Sequence, residues 1–87
     1  MKQKARLVEV QGDQEDFADL IGTTGTLYLE GNNNWFLPEN RGDHLSFVIK
    51  RKVNVAPDKV RVFTKLGNTF TFRLLTVPTE AVVKQNS

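Results

Sequence analysis

The sequence predicts an all-β fold: one small, strongly bent barrel of five to six strands, with an acidic loop after the first strand. Three observations predict it. Short runs rich in β-branched and aromatic residues recur along the 87 residues, clusters of glycine, asparagine and proline separate them, and no stretch carries a convincing helical pattern. The most informative segment is Ile21-Gly22-Thr23-Thr24-Gly25-Thr26-Leu27-Tyr28-Leu29-Glu30, a glycine-marked bend that opens a strand.

The first strand is Leu7-Val8-Glu9-Val10, ended by the turn cluster Gln11-Gly12-Asp13. Residues 12–20 are acidic and lack alternation; they read as a connecting loop, or as a single helical turn capped by Asp13. Strands over Thr26–Glu30 and Trp35–Leu37 flank Gly31-Asn32-Asn33-Asn34, residues that tolerate left-handed backbone and so suit a hairpin loop. Pro38 stops the second of these. From Leu45 to Val55, apolar residues alternate at Leu45, Phe47, Ile49, Val53 and Val55, and Arg51 breaks the pattern, which predicts a bend, a bulge or an exit from the core. A turn at Ala56-Pro57-Asp58-Lys59 leads to Val60–Thr64, and a turn at Lys65-Leu66-Gly67-Asn68 leads to a last strand, Thr69–Leu75. The ends, residues 1–4 and 84–87, are expected to fray.

Eighty-seven residues imply one domain, burying roughly 60–65% of the surface that the unfolded chain exposes. With no cysteine, neither disulfides nor thiolate metal sites contribute, in keeping with a reducing compartment. The basic start Met1-Lys2-Gln3-Lys4-Ala5-Arg6 is followed by no apolar run of signal length, and nothing approaches the ~20 apolar residues of a membrane span. A cytoplasmic location without a membrane partner is the expectation. The net charge of +2 is unevenly spread: residues 1–40 hold three bases against seven acids, a balance of −4, and residues 41–87 hold nine bases against three acids, a balance of +6. Such asymmetry marks an electrostatic face, or cancels when folding brings the halves together.

The order of parts over residues 5–37 resembles an SH3-like barrel: a first strand, a long acidic loop, a glycine-bounded second strand, a short polar turn, then a strand that starts with an aromatic. Within it, Asp19-Leu20-Ile21-Gly22-Thr23-Thr24-Gly25-Thr26-Leu27 is similar to a KOW-type segment, in which spaced glycines lead into an apolar strand; the likeness spans residues 19–30. The turn lacks the lysines frequent in nucleic-acid-binding KOW modules. The resemblance implies a binding barrel and leaves RNA, DNA and protein partners open.

Catalytic chemistry finds little support. The chain has one histidine, His44, and two serines, Ser46 and Ser87. Neighbours on a strand face opposite ways, so Asp43 cannot orient His44 while His44 activates Ser46. Asp13, Glu15, Asp16 and Asp19 do not have the spacing of a calcium loop; they read as a solvated acidic surface, available to a basic protein partner. Arg41-Gly42-Asp43 reads as a turn. No enzyme, cofactor or metal role is therefore expected.

The basic residues carry the best functional case. Lys50, Lys52, Arg61, Lys65 and Arg73 would form one stripe if their strands are neighbours, meeting phosphates while an exposed aromatic (Trp35, Phe36, Tyr28 or Phe63) stacks on a base. The expectation is a non-enzymatic nucleic-acid-binding accessory or regulatory protein. The alternative is a docking module or small inhibitor for a larger protein complex, acting through the acidic loop or a sheet edge. Self-association through an edge strand stays open, and so does the oligomeric state.

Overall fold

The alternating runs build a single antiparallel sheet of seven strands, in the order β4-β3-β2-β1-β7-β6-β5. The computed structural model describes residues 2–12 and 17–75. The strands are β1 (Lys2–Gln11), β2 (Thr24–Glu30), β3 (Asn33–Pro38), β4 (Leu45–Phe47), β5 (Ile49–Ala56), β6 (Lys59–Thr64) and β7 (Thr69–Leu74), with a short 3-10 turn at Ala18–Leu20. The all-β expectation holds. The strand number and the closed barrel do not: the described residues form seven strands rather than five or six, and the edges β4 and β5 share no hydrogen-bonded ladder.

The difference arises at Val48. The run from Leu45 to Val55 reads as one strand but breaks there, where the Val48 carbonyl accepts a hydrogen bond from the Lys65 N–H at 2.9 Å. β4 then pairs with β3 and β5 with β6, at opposite ends of the strand order. A single residue joins the two edges, so the sheet must curl over on itself. Ring contacts between strands that are not sheet neighbours mark this curl: Phe36 of β3 lies 5.1 Å from Phe72 of β7, and Phe47 of β4 lies 5.6 Å from Phe70 of β7.

Inside the curl, Ala5, Leu7, Val10, Leu27, Leu29, Phe36, Phe47, Val60, Val62, Phe70, Phe72 and Leu74 form the core, and Leu20 joins them from the 3-10 turn. Phe17 packs edge-on against Phe70 at 5.2 Å, so the described end of the acidic loop is anchored on the core. Asp13, Glu15 and Asp16 lie outside the described residues, as do the tail residues 84–87.

Two glycines have a definite structural reason. Gly31 takes a positive φ of 55° and no described non-glycine residue does, so Gly31-Asn32 makes a two-residue hairpin turn with the positive φ at its first position. The loop is thus shorter than the sequence predicts; Asn33 and Asn34 belong to β3, and the buried Asn34 amide donates to the Gly31 carbonyl at 3.2 Å. At Gly25, a Cβ would overlap the Leu37 carbonyl oxygen and come within 2.7 Å of the Pro38 Cα, so the bend that opens β2 needs glycine for close strand approach.

β1 starts at Lys2, with Lys2, Gln3 and Lys4 opposite Tyr28, Leu27 and Thr26; of the residues 1–4 expected to fray, 2–4 are paired in a strand and Met1 lies outside the described residues. β5 differs in kind. Register shifts between Ile49 and Arg51 and between Asn54 and Ala56 interrupt its pairing, and residues 50–55 are all exposed. Of the bend, bulge or exit from the core expected at Arg51, the structure shows a bulge beside it and an exit beyond it. Bulges and lysines are devices that blunt a free edge against strand addition.

Candidate nucleic-acid interface

Residues directly opposite one another in an antiparallel pair share a face of the sheet. On β1, Ala5 and Leu7 face the core, which sends Lys2, Lys4 and Arg6 outward. Arg6 stands opposite Arg73 of β7, and Arg73 stands opposite Lys59 of β6. Three cations therefore occupy one row across three adjacent strands, spaced by the ~4.8 Å of strand separation. Along β1 the row turns a corner into Lys4 and Lys2, and beyond Lys2 come Tyr28 of β2 and Trp35 of β3, again in register.

The pairing of these charges is uneven. Lys4 forms a 3.0 Å ion pair with Glu39, and Arg73 a longer one of 3.7 Å with Asp58. The Arg6 Nε donates to the Thr24 hydroxyl at 3.2 Å. Among the described residues, Lys2, Arg6 and Lys59 have no carboxylate partner. The next row is neutralised. There Arg61 donates to the Thr71 hydroxyl (3.1 Å) and to Glu9 (3.4 Å), and that hydroxyl donates to Glu9 at 3.3 Å, beneath which Thr71 is buried.

At the aromatic corner, Tyr28 and Trp35 stack with ring centroids 5.2 Å apart and planes 16° from parallel, and His44 packs edge-on against Trp35 at 5.6 Å. The Tyr28 hydroxyl donates to Glu30 at 2.8 Å. That hydrogen bond to a carboxylate favours the protonated phenol and raises the Tyr28 pKa above its ordinary value, with desolvation and the Glu30 charge adding to the same direction.

The predicted basic stripe is not assembled as expected. Arg61 and Arg73 do share the outer face of adjacent strands. Lys50 is the extra residue of a bulge, and the parity change it causes puts Lys52 opposite Val62, on the core side of the sheet, while Arg51 pairs with Phe63 on the outer side. The Arg51 guanidinium sits 4.4 Å above the Phe63 ring. Lys65 belongs to the β6–β7 turn, away from the row. Phe36 is a correction: it is 0% exposed in the core and offers no stacking surface, whereas Trp35 lies half-buried on the outer face. Of the acidic set, only Asp19 is described, and it forms a 2.7 Å ion pair with Arg41.

Sequence reasoning passed over Lys2, Lys4, Arg6 and Lys59. The signal was present as cations at every second position over residues 2–6, the period of a strand with one solvated face. Among the described residues, no group of three or more His, Asp and Glu is placed to hold a metal ion. No described helix is long and apolar enough to cross a membrane. No protein-family model, curated protein or solved structure matches this chain.

Proposed function

We propose that the protein is a non-enzymatic binding domain, an SH3-like curled sheet that takes a nucleic-acid backbone on the outer face of β1, β7 and β6. One observation carries the reading: Arg6, Arg73 and Lys59 stand in register, with Arg6 and Lys59 lacking a carboxylate partner among the described residues. Like charges directly opposite each other on a sheet destabilise it. A polyanion laid across the row would offset that repulsion through charge-assisted bonds and counterion release. Because phosphates carry no sequence information, modest specificity follows, as suits an accessory or regulatory factor.

The test is equilibrium binding of a labelled oligonucleotide across a salt series. Contact with three phosphates predicts a log–log slope of about −2 to −3. No binding at low salt, or binding that is flat with salt, sinks the reading.

A docking role for a larger protein complex has an observation of its own. Beside β4 and the β6–β7 turn lies a recess of about 420 Å³, bordered by Phe17, Leu45, Phe47 and Phe70. Two exposed apolar residues flank it, Val48 and Leu66, the latter 92% exposed at a turn tip. This reading predicts a protein partner that is retained after nuclease treatment and released by Leu66→Asp.

A further inference from the structure

We infer that the nucleic acid bound by this face is single-stranded, running along β1 with phosphates on Lys2, Lys4 and Arg6 and one base stacked on the face of Tyr28 turned away from Trp35. The inference rests on the reading above and adds the strand state and the path.

Two independent features lead to it. The first is the line of charge. Same-face residues on a strand recur every ~6.7 Å, so Lys2, Lys4 and Arg6 make a straight track of three cations on one strand. Arg73 and Lys59 extend it sideways at one end only.

The second feature is the aromatic corner at the other end. Trp35 covers one face of Tyr28 from the β3 side. The opposite face of that ring therefore looks toward β1, where its register partner is the exposed Lys2. The ring is held on one side by Trp35 and at its hydroxyl by Glu30, so little freedom remains to be lost when a base lands on it. A base on that face has its own sugar-phosphate beside Lys2 and Lys4.

Duplex bases are already stacked on one another and cannot reach such a ring; an unpaired base can. A duplex would instead meet the exposed edge strand β5 through phosphate contacts to Arg51 and Lys52. The two modes use different residues, which makes them separable.

The experiment compares a short mixed-sequence oligonucleotide, as DNA and as RNA, with the corresponding duplexes, using the full chain at low salt. Anisotropy of the labelled oligonucleotide reads binding, and the emission of Trp35, the chain's one tryptophan, reads stacking at the corner. Single strands of either sugar are expected to bind at least ten-fold tighter than duplex and to change the Trp35 emission.

Tyr28→Ala is expected to weaken single-strand binding about ten-fold or more. Tyr28→Phe, which keeps the ring, retains it. Circular dichroism checks that both variants are folded. Glu39→Gln removes the carboxylate that holds Lys4 without touching the aromatic corner, and a few-fold gain in affinity is expected from it.

Duplex binding as tight as single-strand binding, or unchanged binding by a folded Tyr28→Ala, overturns the inference; if salt-sensitive binding still depends on Arg6 and Arg73, the functional reading stands. Failure of every oligonucleotide to bind removes both.

Discussion

β1 and β5 each carry three cations within a short span, and the fold treats them in opposite ways. On β1, Lys2, Lys4 and Arg6 alternate with core residues in a strand that is paired on both sides, so all three emerge on one face. On β5, Lys50, Arg51 and Lys52 are consecutive on an edge strand, and the bulge sends them to a kink, the outer face and the core side. The numbers of charges are equal. Only β1 adds them up, because register rather than composition decides whether cations reinforce one another.

The largest effect should come from breaking that contrast directly. Combined Arg6→Ala, Arg73→Ala and Lys59→Ala removes three charged contacts at about 1.5 kcal/mol each, a loss in oligonucleotide affinity on the order of a thousand-fold. The matched β5 variant, Lys50→Ala, Arg51→Ala and Lys52→Ala, is expected to lose less than ten-fold. Anisotropy titrations at one low salt concentration compare them; equal losses would mean that charge count, not register, governs binding.

A second comparison concerns stability. Leu7 on β1 is fully buried in the core cluster, so Leu7→Ala should cost about 2–5 kcal/mol in urea unfolding. Val53 sits on the exposed edge strand, and Val53→Ala should cost less than about 1 kcal/mol. A large cost at Val53 would show that β5 is covered in solution, as an edge-to-edge assembly requires.

The same contrast explains what the sequence made legible and what it hid. The β character was readable because apolar parity survives in strands such as β6 and β7: Val60 and Val62, or Phe70 and Phe72, announce which side is inside. The corner at Val48 left no local mark, since Phe47 and Ile49 keep the same parity on both sides of it. Only the distant Lys65 N–H, bonded to the Val48 carbonyl, defines the break. Arg51 did betray a disturbance, but a bulge looks the same in sequence as a bend or an exit.

The site was harder to read, because a row of charge belongs to no single segment. Arg6, Arg73 and Lys59 come from three distant stretches of chain, and their alignment is a property of pairing register. Lys2 and Lys4 have poor strand propensity and were read as a loose end; pairing with Tyr28 and Thr26 of β2 overrides that preference. Parity did show that Trp35 and Phe36 face opposite ways. Which of them faces inward depends on Phe72, which meets Phe36 across the curl.

A smaller effect sharpens the link between charge alignment and function. If the row exists for a ligand, the unliganded protein bears its repulsion. Arg6→Gln should then raise stability by a few tenths to about 1 kcal/mol while it lowers affinity. Lys52→Gln, with no cation in register, should leave stability within about 0.5 kcal/mol. Urea midpoints measure both; a destabilised Arg6→Gln would assign Arg6 to structure, through its bond to Thr24.

The smallest effect separates the two aromatic corners. Tyr28, the chain's one tyrosine, has its pKa raised by the hydrogen bond to Glu30, whereas Phe63 beneath Arg51 has no hydroxyl to titrate. A raised folded-state pKa means that the fold favours the protonated phenol. The stabilisation is present below the unfolded value, about 10, and is lost as pH rises through the higher folded value. Tyrosinate absorbance should therefore titrate later than in an unstructured peptide, and Glu30→Gln should bring it back. A phenolate beside Lys2 would also repel a phosphate chain, so single-strand binding should fall more steeply through this window in the native protein than in Tyr28→Phe. Lysine deprotonation contributes equally to both proteins, so the difference between the two curves isolates Tyr28. Coincident curves would place the bound base elsewhere than on this ring, with the Phe63 corner of β5 the next candidate.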